Sequence, residues 1–127
     1  MKNSFTRLAG LVATAARAFG LAAPAAAQSD FPNHTVELLV PYQAGGGTDG
    51  LARAFADASR KHMSQPIVVL NKPGAGGAIV WSEVINSKPD GYKLAVVTVE
   101  LLTLPHLGLA KFKYDDFQPI AQLNADP

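Results

Sequence analysis

The chain has 127 residues, with 11 Lys+Arg against 10 Asp+Glu, one tryptophan and no cysteine. Without cysteine there is no disulfide framework, no thiolate metal site, no cysteine nucleophile and no lipid-modified cysteine. The near-balanced charge, with no basic patch interleaved with aromatics, argues against nucleic acid as a partner.

Residues 1–27 read as a secretory signal peptide. Lys2 and Arg7 open it, an alanine-rich apolar run covers 8–23, and Ala25-Ala26-Ala27 supplies a small-x-small cleavage site, so export with cleavage after Ala27 is expected. The run is too short and too weakly apolar for a permanent membrane span. Because the leader carries Lys2, Arg7 and Arg17, the remaining 100 residues hold 8 basic and all 10 acidic side chains, a net charge of −2. That length suits one small domain, residues 28–127, and an exported product without cysteine suits a bacterial periplasm.

After a polar lead-in, Val36, Leu38, Leu39 and Val40 form a strand-like run ended by Pro41. Gly45-Gly46-Gly47 loosen the following loop, and Thr48 or Asp49 is placed to cap a helix running to about His62. Leu51, Ala54, Phe55, Ala58 and His62 fall at helical spacing as its apolar face. Arg53 with Asp57, and Asp57 with Lys61, are i,i+4 pairs on its wet face. Residues 67–70, "IVVL", predict a second strand covered on both faces. "NKPGAGGA" repeats the glycine turn and leads into a second helix over about 78–87. Pro89-Asp90-Gly91 is a turn, 94–98 a third strand, and 99–110 a loop with a short helical piece interrupted by Pro105. A fourth strand is expected over about 118–123, with Pro119 keeping it to an edge or a strand start.

Strands alternating with helices through short connections predict an α/β fold with βαβ units and a mainly parallel sheet. Ligands of such sheets sit at the carboxyl ends of the strands, where both glycine loops and the segment after Thr98 would lie. The first amides of a helix lack intrahelical acceptors, and the positive end of the dipole stands behind them, so an anion is the natural guest.

Gly45 to Gly50 satisfies G-x-G-x-x-G, which raises a dinucleotide or phosphate cradle as the alternative, in a small exported enzyme or nucleotide-binding protein. Four residues separate the strand from the first glycine, and Asn71 stands where an acidic ribose ligand is needed. No Gly-Lys-Ser/Thr follows, so a Walker loop is excluded. For either loop alone, a turn that uses glycine for geometry is the plain alternative.

The series "VPYQAGGGTDGLAR", "PIVVLNKPGAGGAI" and "KPDGYKLAVVT" resembles the Bug family, the TctC-like periplasmic solute-binding receptors of tripartite tricarboxylate transporters. The resemblance covers about 31–127. It implies a type II periplasmic-binding-protein fold, of which this chain holds a partial first lobe, closing on a di- or tricarboxylate or a related metabolite that is passed to membrane permease subunits, with no cofactor, metal or catalysis. It places the ligand against the first loop, with Gly45, Gly46, Gly47, Thr48 and Asp49, and against the second, with Gly74, Ala75, Gly76, Gly77 and Ala78. Thr98 falls where the family commonly has a hydroxyl facing the cleft. Tyr42 either packs over the ligand or covers the end of the sheet. Asp49 would repel an anionic guest and is expected to cap or brace its loop, unless the ligand carries an ammonium group.

The pattern departs from the family in places. Val80 and Trp81 stand where small or polar residues are usual, so the indole is expected to crowd the cleft or face the other lobe. Glu100 stands where small or hydroxyl residues are usual and is expected to turn outward. Leu104 replaces a frequent asparagine, and the chain stops about where the crossover to the second lobe should begin, as an amino-terminal fragment would. His34, His62 and His106 have no zinc-ligand spacing, the serines lie in no nucleophile elbow, and Asp115-Asp116 reads as a solvated turn.

Overall fold

A computed structural model describes residues 31–125. The leader and its cleavage site lie outside the described residues. The elements are β1 (Val36–Val40), α1 (Gly47–Ser59), β2 (Ile67–Asn71), α2 (Ala78–Ile85), β3 (Lys93–Ala95) and α3 (Glu100–His106), with 3-10 turns at Ala75–Gly77 and Tyr114–Asp116. The three strands form one parallel sheet in the order β2-β1-β3. Val40 pairs with Asn71 on one side of β1, and Leu39 with Ala95 on the other.

The alternation within β1 divides the core. Val36, Leu38 and Val40 pack with Ala52 and Ala56 of α1, and with Ile67 and Val96. Leu39 points to the opposite layer, with Val80 and Trp81 of α2, Leu101 of α3, and Phe112. Successive strand side chains take opposite faces, so a strand apolar at both parities must be covered on both. The chain steps from β1 to β2 and then back across β1 to β3. Right-handed crossovers stepping in opposite directions require helices on opposite faces, and α1 and α2 lie in opposite layers.

Several expectations shift. The doubly covered strand is β1, whereas β2 is at the sheet edge, with Val68 41% exposed. The apolar stripe of α1 is rotated: Asp49, Ala52 and Ala56 are buried, Leu51 and Phe55 half-buried, and Ala54, Ala58 and His62 exposed. Its last turn is Ser59, beyond which a looser turn reaches His62, whose amide donates to the Ser59 carbonyl. Arg53 pairs with Asp49, and Asp57 with Arg60, in place of the expected i,i+4 pairs. The helix is capped by Gly46 with no side-chain cap from Thr48 or Asp49.

The third strand ends at Ala95, although the Val96 amide still donates to Leu39. No strand forms over 118–123, and Ile120 is 75% exposed. Pro119 offers no amide to a ladder, and the segment packs no apolar face that would hold it against β3. Trp81 neither crowds a cleft nor faces outward. It is fully buried, its indole N–H donates to the Val96 carbonyl at 3.0 Å, and its ring meets Phe112 edge-on.

Candidate functional site: a rim of three loops

Because all three strands run the same way, the loops that leave β1, β2 and β3 emerge at one rim. The order β2-β1-β3 also puts a switch in connection direction between β1 and β3, which is where doubly wound sheets open a crevice. Across that boundary the Tyr42 hydroxyl meets the Thr98 hydroxyl at 2.7 Å. Burial, with help from the nearby Glu100, raises the Tyr42 phenol above its ordinary range against the opposing effect of Thr98, so the ring stays neutral.

The first loop rests on Asp49, which is 3% exposed. Its Oδ2 accepts from the Gly45 amide at 2.8 Å and from Arg53 Nε at 2.9 Å, and its Oδ1 accepts from Asn71 Nδ2 at 2.9 Å. Asn71 Nδ2 also donates to the Tyr42 carbonyl, and Asn71 Oδ1 accepts from Arg53 Nη2. Arg53, the Gly45 amide and Asn71 hold the Asp49 carboxyl far below the usual range, so it is an anion at any physiological pH. Asp49 therefore braces the loop from beneath. It takes the Gly45 amide with it and leaves Gly46, Gly47 and Thr48 with amides that have no acceptor among the described residues. Gly45 and Asp49 were both among the expected ligand contacts, and both are occupied internally.

The second loop is built differently. Gly74, Ala75, Gly76 and Gly77 all have positive φ, and Gly77 caps α2 in the left-handed region. A Cβ on Gly77 would lie 2.6 Å from the Trp81 ring, so the glycine is required by the indole behind it. The Gly77 amide donates to Gly74 and the Ala78 amide to Ala75, whereas the amides of Gly74, Ala75 and Gly76 have no acceptor among the described residues. Ala75 and Gly76 are exposed.

Sequence reading missed Arg53 and Asn71 as the frame of the first loop. The Asp49–Arg53 spacing carried that signal, but Arg53 was paired forward with Asp57. Glu100 is also a correction: it turns in rather than outward. The Thr98 hydroxyl, its own amide and Tyr42 hold its carboxyl below the usual range. No group of three His, Asp or Glu side chains among the described residues can hold a metal ion. Two shallow depressions, of about 300 and 260 Å3, lie away from the rim, the first beside His34, Glu37 and Tyr92 and the second beside Asn86 and Phe112. No helix among the described residues is long and apolar enough to cross a membrane.

Residues 51–127 match the family model of the tripartite tricarboxylate transporter family receptor, TctC. The chain belongs to this family. A UPF0065 protein of Cupriavidus necator is 42% identical to it over 97% of this chain and 36% of its own length. A TctC solute-binding protein from Polaromonas, solved without ligand, superposes with a TM-score of 0.70 at 57% identity, over 71% of this chain and 31% of that one. The protein MatC of Rhodopseudomonas palustris, solved with bound malate, superposes with a TM-score of 0.50 at 40% identity, over 51% of this chain and 22% of MatC. The TctC-type chain described here thus spans about a third of the length of the curated relatives it matches, and its α/β architecture is that of a periplasmic binding protein.

Proposed function

We propose that this chain forms part of the ligand-binding cleft of an exported receptor that captures a small organic carboxylate in the periplasm for a tripartite transporter, without catalysis. The observation that carries the reading is the rim: two sets of unengaged amides, Gly46-Gly47-Thr48 and Gly74-Ala75-Gly76, leave adjacent parallel strands at the same end of the sheet. Main-chain donors aimed at a carboxylate form charge-assisted bonds, and a helix N-terminus behind each set adds to the attraction. Tyr42 and Thr98 supply a neutral, polar wall between them. Gly45 and Asp49 shape the first loop rather than touch the guest, and Gly77 and Ala78 shape the second. The malate held by MatC fits this chemistry, and the leader read from 1–27 supports export and, with it, delivery to membrane permease subunits.

The test is an NMR titration of the full chain with succinate, malate and citrate in parallel with NAD and ATP. The expected result is saturable movement of the Gly46, Gly47 and Gly76 amide signals with the acids. Movement with NAD or ATP and none with the acids would transfer the rim to phosphate recognition.

A further inference from the structure

Among the described residues one buried side-chain polar atom has no hydrogen-bond partner, and it is Glu100 Oε2. Glu100 follows β3 at the rim, two residues beyond Thr98, whose hydroxyl is engaged with Tyr42 at 2.7 Å. The contrast with Asp49 is sharp. Asp49 is also a carboxylate at this rim, but its two oxygens accept three hydrogen bonds from within the chain and the residue is 3% exposed. An ionised carboxylate can only accept, and an oxygen closed off from water without a donor is unfavourable until a donor arrives. Thr98, the Glu100 amide and Tyr42 all favour the charged form, so the group does not escape that penalty by taking up a proton.

We propose that Glu100 is a specificity-determining residue: among the organic acids whose carboxylate the glycine loops hold, it selects those that also carry a hydrogen-bond donor, an ammonium group before a hydroxyl, and disfavours plain dicarboxylates. The inference rests on the carboxylate-receptor reading. An ammonium supplies both a donor and an opposite charge to Oε2, a hydroxyl supplies a donor alone, and a methylene supplies neither while keeping the anion's repulsion.

Three four-carbon acids of matched skeleton, succinate, malate and aspartate, test this by NMR titration of the full chain and of its Glu100→Gln variant. In the native chain aspartate should bind at least about tenfold more tightly than succinate, with malate between them, the gain expected of a hydrogen bond to a charged group. In Glu100→Gln the ratio should shrink to within about threefold while succinate binds as well as before or better, because the amide keeps the shape and loses the charge. An unchanged ratio in the variant overturns the inference and assigns the selectivity to other residues. Succinate binding the native chain as tightly as aspartate overturns it without any variant, so a variant that does not fold leaves the question decidable. Failure of all three acids to bind overturns the carboxylate reading itself, and this inference with it.

Discussion

The two glycine loops differ in what makes them loops. The first is open on its outer side, with nothing within 4 Å of a Cβ placed on Gly45 or Gly47, and its shape comes from a polar brace beneath it, Asp49 with Arg53 and Asn71. The second is packed from behind, with Gly77 on the buried Trp81 ring of the core and Gly74 on the exposed Ile79 side chain. Similar stretches of sequence therefore reach a similar end, amides left free at a rim, through electrostatics in one case and through packing in the other. A glycine run alone does not distinguish the two, but the residue three to five positions downstream does.

That difference can be broken at either end. The largest effect is expected from Trp81→Ala, which removes a fully buried indole from the layer under the second loop and should cost about 3–5 kcal/mol in a urea titration. Next is Gly77→Ala, where both the positive φ and the 2.6 Å approach to Trp81 resist a side chain, and a loss of about 1–3 kcal/mol is expected. The matched substitution Gly47→Ala meets open space within a helix and should be neutral or stabilising by about 0.4–1 kcal/mol. Equal costs at the two glycines would remove the distinction between the loops.

The polar brace is tested more gently. Asp49→Asn should accelerate hydrogen exchange at the Gly45 amide by on the order of tenfold, as a charge-assisted bond is weakened, and leave the Gly77 amide unmoved. Acid should act in the same direction. Arg53 and the Gly45 amide hold the Asp49 carboxyl below its ordinary range, and Lys72 and then Lys93 do the same for Glu83. The folded chain thus binds fewer protons than the unfolded one in acid, so the stabilisation is present above about pH 4 and is lost as pH falls through the folded values. A melting temperature that does not decline between pH 5 and 3 would contradict this. The smallest effect is expected at Arg60→Ala, whose pair with Asp57 is exposed on both sides and should be worth less than about 0.5 kcal/mol.

The repeat of strand, glycine loop and helix was legible because each part depends on local spacing, and parallel strands then fix the shared rim. What depends on strand order was not. "IVVL" reads as a buried strand, yet β3 returns to the far side of β1 and leaves β2 at the edge, with Val68 exposed. The orientation of Glu100 depends on Tyr42, 58 positions earlier in the chain, and no periodicity carries that. Trp81 was misplaced for the same reason: its partners, the Val96 carbonyl and Phe112, come from segments that no local pattern joins to α2. Over 118–123 the apolar residues were visible, but the absence of a strand to pair with was not.

Asn71 has one more consequence. Its carboxamide donates to the Tyr42 carbonyl and to Asp49 while accepting from Arg53, a two-way role that only an uncharged amide can fill. An aspartate at this position would bring a second negative group against Asp49 and remove the donor that latches the loop to β2, so a loop that leaves β1 owes its shape to one carboxamide lent by the neighbouring strand.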